Sequence, residues 1–416
     1  MLSDDQREVF KVCVWGDVFL DILATGLPKW PPILGGDVPC NTPIEMQAGG
    51  SATNTTVHLA SLAASPLPCE LSEEWEVAVA ERAKSLKLGV NMHGAFGADG
   101  FGQSVRKRLA EVGLSDGVCE VGPSSSSSSS TSTKDEDFEV FGPAYTDAGT
   151  GVCLCLGHEG DRGFISYYGS TSVWKEKDVN VPKLSQANHV HVTGLYNMAT
   201  LLPQFAELLG QIRDQSPPER GLTISLDTAF DSSEDWAHIT EILPLVDFFM
   251  PNEVELVAVA EAGGGCNQSE GGSVTFIEEE AIRYCFDQVK VGVVAKKGHR
   301  GATALWNCPP MESGGPERVL KVECSSLFLA AEDLVDTTGA GDSFNAGFLY
   351  VYSLFAQQKD SRLEKWLPLA MQFGCVCGFH AVQKVGGCMH PAKLADLFAE
   401  LKTQGLPVTV TMEYVR

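Results

Sequence analysis

Short apolar, β-branched runs alternate along this chain with longer segments whose apolar residues recur at helical spacing. The runs predict strands at Val9–Trp15, Val90–Phe96, Asn188–Thr193, Thr223–Asp227, Asp247–Met250, Val291–Ala295 and Ala302–Trp306. The helical spacing predicts helices at Ala52–Ala63, Phe101–Val112, Thr200–Arg213, Glu234–Leu243, Glu253–Glu261, Glu278–Val289, Ala340–Phe355, Lys365–Val382 and Pro391–Lys402. Strands alternating with helices are the mark of an α/β fold with a mostly parallel central sheet.

Two segments break that rhythm, Ile33–Gln47 and Phe138–Tyr168, the latter with β-like pieces at Val152–Leu156 and Phe164–Tyr168. Both are expected to form a small accessory sheet outside the main layer. Three further stretches read as surface insertions. Pro123–Asp137, with seven consecutive serines, has too little apolar surface to offset its chain entropy and is expected to be disordered. Gly263–Gly272 and Pro309–Pro316 read as loops. Ser65–Lys87 reads as an exposed additional helix.

The 416 residues include 30 Lys or Arg against 54 Asp or Glu, a net charge of −24. Such a chain repels nucleic-acid phosphates and anionic membrane surfaces, so neither is expected as a partner. No apolar run approaches the ~20 residues that span a bilayer. The opening MLSDDQREVF has no basic or apolar leader character. Thirteen scattered cysteines fit reduced thiols, and the expected location is cytoplasmic. Cys153-x-Cys155 and Cys375-x-Cys377 read as core thiols, and His189-Val190-His191 as packed or hydrogen-bonded rings. There is neither a P-loop nor a dinucleotide-type glycine signature.

The richest segment is Asp336-Thr337-Thr338-Gly339-Ala340-Gly341-Asp342-Ser343-Phe344-Asn345-Ala346-Gly347. Phe344, Phe348, Val351 and Phe355 line one helical face, so a glycine turn opens a helix near residues 339–341. Free amides at a helix start attract anions, and glycines let a ligand come close. A carboxylate in that first turn, Asp342, can take a proton from an attacking hydroxyl while the amides stabilise phosphoryl oxygens. For an isolated Asp, a favourable place on the helix dipole would suffice.

This segment resembles the second signature of the PfkB (ribokinase-like) carbohydrate kinase family. Five further elements are similar to that family and occur in its order: Gly16-Asp17-Val18-Phe19-Leu20-Asp21, Ala48-Gly49-Gly50-Ser51-Ala52-Thr53-Asn54, Gly97–Gly102, Asn252-Glu253-Val254-Glu255 and Lys296–Gly301. The resemblance implies a single ribokinase-like three-layer sandwich with a small β lid from about 33–47 and 138–170. It implies ATP-dependent transfer to the hydroxymethyl group of a sugar or sugar-like substrate. Asp342 would be the general base and the backbone of Gly339, Ala340 and Gly341 the anion hole. Asp21, Gly49, Gly50 and Asn54 would bind substrate, and Lys296, Gly298 and Asn252 the nucleotide. Glu255 would hold Mg²⁺ through water. Asp336 and the carbonyl of Thr338, with the loop Ala381–Gly386, match the family's monovalent-cation position, though Cys388-Met389-His390 departs from its pattern and leaves K⁺ dependence open. Phe19, standing where ribokinases proper place a polar contact, argues mildly against ribose, while core packing also accounts for it. A nucleoside kinase on the same fold, a non-catalytic sugar-binding regulatory protein, and a homodimer joined through the lid stay open as alternatives or additions.

Overall fold

The computed structural model describes residues 7–29, 36–121, 137–158, 161–265, 274–308, 318–357 and 363–414. The serine tract, residues 266–272 and residues 309–316, all expected as insertions or loops, lie outside these, as does the start of the first lid segment.

Among the described residues one sheet has twelve strands. From Gly292–Lys296 it runs through Phe248–Phe249, Thr223–Asp227, His189–Thr193, Glu8–Gly16 and Leu86–Gly94 to Phe138–Tyr145, every neighbour parallel. Beyond Gly292–Lys296, the strands Ala302–Cys308, Arg318–Cys324 and Val408–Tyr414 add antiparallel. A parallel sheet must be covered on both faces, and the alternation in its central strands shows how. Val12 and Val14 join a core with the helices Ser51–Ala63, Ala340–Phe355 and Leu363–Ala381, whereas Cys13 and Trp15 join a second core with Phe205–Gln215, Glu253–Ala262 and Val274–Gln288. The sandwich is therefore three layers deep. No described helix is long and apolar enough to cross a membrane.

Most predicted elements are present within a few residues. The helix expected at Glu234–Leu243 shrinks to Ile239–Ile242. The Asp231 carboxylate accepts the N–H groups of Ser233 (2.9 Å) and Trp236 (2.8 Å), a side-chain turn that competes with helix, and Glu234, Trp236 and His238 take positive φ. The Ser65–Lys87 segment forms the helix Glu74–Ser85, but Val79 and Ala80 on one face are fully buried, so it is part of the core rather than exposed. Its start is fixed by a capping box between Glu73 and Glu76. Arg318–Cys324 and Val408–Tyr414, absent from the predicted strands, complete the antiparallel edge.

A separate four-stranded sheet has the order Glu45–Gly49, Phe19–Ala24, Gly151–His158, Asp161–Tyr167. Of the segments expected there, Phe138–Tyr145 instead pairs with Leu86–Gly94 in the large sheet, and the end of the Gly16–Asp21 element opens Phe19–Ala24, an inner strand of the small sheet. The register makes this sheet two-faced. Gln47, Asp21, Cys153 and Ser166 form one cross-strand row, and Met46, Ile22, Leu154 and Ile165 form the next, pointing the other way. The chain passes between the two sheets at Gly16–Val18, Gly49–Gly50, Asp147–Thr150 and Tyr168–Gly169. One crossing is pinned by Asp99, which caps the helix Gly100–Glu111 and accepts the backbone N–H of Thr150 (2.8 Å) and its hydroxyl (2.7 Å).

Candidate functional site

The carboxyl ends of three neighbouring strands stop in one row, Gly16, Thr193 and Asp227. Ligands of open α/β sheets bind at such ends. The helix Ala340–Phe355 starts above them. Its N-cap, Gly339, is left-handed (φ 73°), and an ideal Cβ there would lie 2.6 Å from the backbone of Gly387, so only glycine lets the chain turn into this helix. The amide of Ala340 donates to Thr337 O at 3.3 Å and that of Ser343 to Gly339 O at 2.8 Å. The amides of Gly341 and Asp342 between them have no intrahelical acceptor, as befits a first turn.

Asp342 is buried in that turn and accepts a hydrogen bond from Asn54 Nδ2 at 2.9 Å. Burial pushes its pKa up to about 7; the Asn54 bond and Lys296 pull it down, while the charges of Asp227 and Asp17 add to the rise. Asn54 lies on the helix Ser51–Ala63, which opens at Gly50 (φ 90°). That start is fixed by Asp17, whose carboxylate accepts Ala52 N–H (3.0 Å) and Asn197 Nδ2 (2.8 Å). Asp17 thus anchors a helix start 35 residues along the chain. One turn along, His58 is buried between Gly387 O (2.9 Å) and Ser343 Oγ (3.3 Å), and burial lowers its pKa to about 4, so it stays neutral.

Asp21 belongs to the polar row of the small sheet and is buried, its pKa raised to about 7 by burial and then by Asp17 and Asp336. Gly49 makes its place: an ideal Cβ on residue 49 would lie 2.1–2.4 Å from the Asp21 carboxylate atoms. Gly386 does the same for the Gln47 amide, at 1.9–2.3 Å. Gln47 Nε2 and Asn54 Oδ1 are buried without a protein partner among the described residues. Phe19 is packed, edge to face with Tyr168 at 5.9 Å. Of the residues expected on the substrate side, Asn54 thus touches Asp342, and Gly49 lies against Asp21.

On the other side, Asn252 and Glu255 form a complete capping box. Asn252 Oδ1 accepts the N–H groups of Val254 and Glu255 (2.9 Å each), and Glu255 accepts Asn252 N–H (2.9 Å) and Nδ2 (2.7 Å). Glu255 is nonetheless buried, and burial together with Asp227 raises its pKa to about 7. Asn252 bridges Lys296, the last residue of its strand. Gly298 sits in an exposed turn at φ 53° with open space around it. Asp336 ties two loops together, accepting Thr338 N–H and Gly386 N–H at 2.9 Å each. Among the described residues no group of three His, Cys, Asp or Glu side chains has metal-holding geometry. His189 and His191 are hydrogen-bonded to Thr223 and Ser225 at 2.7–2.8 Å, in keeping with their structural reading.

The reading from sequence missed Asp227 and Asn345. Asp227 ends its strand beside Lys296, forms an ion pair with it, and accepts Asn345 Nδ2 at 2.5 Å. Burial pushes its pKa up, yet the Lys296 charge and these hydrogen bonds outweigh that and hold the carboxyl below its ordinary range. Its position at the carboxyl end of a predicted strand was the available signal.

A family profile described as "pfkB family carbohydrate kinase" matches residues 131–393. An adenosine kinase of Schizosaccharomyces pombe is 23% identical over 214 residues, 49% of this chain and 57% of that protein, so the match spans little more than half of that relative. Among solved structures, the chain is similar to a ribokinase of Thermotoga maritima (TM-score 0.62, 16% identity, 95% of this chain and 100% of that one). It is equally similar to the Arabidopsis thaliana ribokinase complexed with ribose and ATP (TM-score 0.63, 17% identity, 95% and 100%). At these identities the structures establish the ribokinase fold.

Proposed function

This chain belongs to the pfkB carbohydrate kinase family, and from that premise we propose that it transfers the γ-phosphoryl group of ATP to a hydroxymethyl group of a sugar or sugar-like substrate. The observation that carries the proposal is Asp342, held by Asn54 in a buried helix start whose glycines leave amides bare. The acceptor oxygen bonds to the γ-phosphorus as its proton passes to Asp342. The bond from that phosphorus to the β–γ bridging oxygen breaks, and ADP leaves. The free amides of Gly341 and Asp342 meet the phosphoryl oxygens, beside those of Gly339 and Ala340, the latter turned to Thr337 O by a long 3.3 Å bond. Asp21 receives substrate hydroxyls, helped by Asn54 and the space that Gly49 and Gly50 leave.

Lys296, Gly298 and Asn252 lie on the nucleotide side. Mg²⁺ suits the oxygen chemistry there, and the buried Glu255 carboxylate, its near lone pairs already taken by Asn252, would hold it through water. When bound, the ion neutralises phosphate oxygens. The Asp336–Thr338 turn, tied to Gly386, offers oxygens for a monovalent cation such as K⁺. The small sheet is the lid that excludes water, its Asp21 row turned to the site. The face that carries the other row is apolar and open to solvent at Met46 (65% exposed), Ile165 (57%) and, two residues on, Tyr167 (58%), which supports a homodimer joined through the lid. The described cysteines are all free, in keeping with a cytoplasmic location.

A second reading, a nucleoside kinase, is favoured by the match to the yeast adenosine kinase. A panel of ribose, fructose, a ketodeoxy sugar acid and adenosine, each with ATP and Mg²⁺ and with or without K⁺, tests both. ADP release with a phosphorylated sugar is expected; turnover of adenosine alone establishes the second reading. Sugar binding without any ADP release would instead identify a non-catalytic sugar-binding regulator and overturn the kinase reading.

Gly49→Ala probes the acceptor side. The added methyl must displace the Asp21 carboxylate. KM for the acceptor is expected to rise by about tenfold, the loss of roughly one good hydrogen bond, with a smaller change in kcat. Steady-state kinetics with varied acceptor check it, and an unchanged KM removes Asp21 from the substrate site.

A further inference from the structure

Lys296 has only 10% of its side chain exposed, and its ammonium is held between two partners: Asp227 in an ion pair and Asn345 Oδ1 at 3.4 Å. Asn345 in turn donates to the same Asp227 oxygen at 2.5 Å, closing a ring of three side chains from two strand ends and one helix. The backbone at Lys296 is fixed too, its N–H donating to Pro251 O at 2.8 Å. This ring abuts the first turn of the Ala340–Phe355 helix. An ideal Cβ on Gly341 would lie 3.4 Å from Lys296 Nζ, so the ammonium faces bare backbone next to the free amides.

That is a poor place for a lysine kept only for stability. The start of a helix carries partial positive charge and disfavours a cation. A buried ion pair is also rarely better than apolar packing for holding strands together. An ammonium has three donors; Asp227 and Asn345 take two, and among the described residues no other side chain accepts from the third. The carboxylates of Asp342, Asp227 and Glu255 lie within electrostatic reach of it.

The geometry points to Lys296 as the fixed cation of the phosphoryl-transfer point, working beside the Gly341 and Asp342 amides, with Asp227 and Asn345 as the positioning residues that aim it. This deepens the kinase reading and rests on it. It moves Lys296 from a general nucleotide contact to the transferring group itself, which predicts a selective role: Lys296 strengthens binding of the planar, charge-rich transferring phosphoryl and adds little to binding of ADP. In this role Asp227 acts through Lys296, which it aims.

Titration calorimetry with Mg·ADP, with and without aluminium fluoride, tests this without any acceptor. In the wild type, aluminium fluoride is expected to tighten ADP binding strongly. Lys296→Met should lose about 100-fold of that gain while affinity for ADP alone stays within about twofold. Lys296→Met leaves Asp227 buried and unpaired, so the neutral double variant Asp227→Asn/Lys296→Met is prepared beside it and both are checked by thermal melting. The double is expected to lose no more of the gain than Lys296→Met alone, the non-additivity of a residue acting through another. Asp227→Asn alone should lose a part of it, recoverable in no way by Asn345. Retention of the full gain in the folded double variant, or a loss in the double clearly exceeding that of Lys296→Met, overturns the assignment. If the wild type shows the gain but phosphorylates none of the panel acceptors, the acceptor side of the kinase reading fails while the Lys296 assignment stands.

Discussion

Asp342→Asn is expected to reduce kcat by about 10²- to 10⁴-fold, the range of a lost general base, with the fold intact. The replacement keeps the size of the side chain, and an amide oxygen can still accept from Asn54 Nδ2. What it cannot do is take a proton. The pH dependence gives the second half of the test. With its pKa raised to about 7 by burial, Asp342 is increasingly protonated below that pH, so wild-type kcat/KM should fall about tenfold per unit on the acid side. Asp21 and Glu255 also sit at about 7, so the wild-type profile alone does not name the group. The residual activity of Asp342→Asn does: its profile should lose one proton from the acid limb. Stability moves in the opposite direction. A carboxyl whose folded pKa is raised stabilises only while neutral, and that contribution is lost as pH rises through about 7. Asp342→Asn should therefore melt at a higher temperature than wild type at pH 8, and the gap should close towards pH 4. A variant with near wild-type turnover, correctly folded, would remove Asp342 from the chemistry.

How the site is assembled explains which parts of it could be read from the chain. The segment Asp336–Gly347 carries its own structure: a left-handed glycine, a helix start and an acidic first-turn residue are all local, and so is the Asn252–Glu255 capping box. Periodicity likewise marked the mostly parallel sheet, because a strand buried on both faces is a continuous apolar run, while the three layers came from the family resemblance. Contacts between distant segments left no such trace. Asp227 reads as the polar end of a strand until folding sets it against Lys296, 69 positions away, and Gly387 is an ordinary loop glycine until it lies under Gly339. The helix expected at Glu234–Leu243 failed for a related reason: apolar spacing there was genuine, but one carboxylate, Asp231, captured the amides a helix would need. The small sheet was the hardest to place. Its central strand, Phe19–Ala24, follows the first strand after only two residues, and nothing in its composition says that Gly16–Val18 carries it into another layer.

Gly339→Ala should damage both stability and turnover, and the chain of contacts behind it says why. Residue 339 sits at φ 73°, which costs a non-glycine residue about 1–2 kcal/mol. The new methyl would also lie 2.6 Å from the Cα and carbonyl oxygen of Gly387, backbone atoms that cannot rotate aside. Gly387 cannot simply retreat, since an ideal Cβ there would already be 2.5 Å from the Asn54 amide nitrogen, and its carbonyl is held by His58. Pressure on Gly387 is thus handed to Asn54 and, through the 2.9 Å bond, to Asp342. A displacement near 1 Å at a reacting group can cost about 100-fold in rate. Gly405→Ala, just past the helix Leu394–Gln404 and away from the site, is the matched control: its φ of 56° imposes the same kind of backbone strain, but nothing lies within 4 Å of the added methyl. Urea unfolding should show Gly339→Ala losing clearly more stability than Gly405→Ala at equal m-value, and only the former should lose kcat by about two orders of magnitude. Equal effects of the two substitutions would mean that the contact from Gly339 through Gly387 to Asn54 does not hold the base in place.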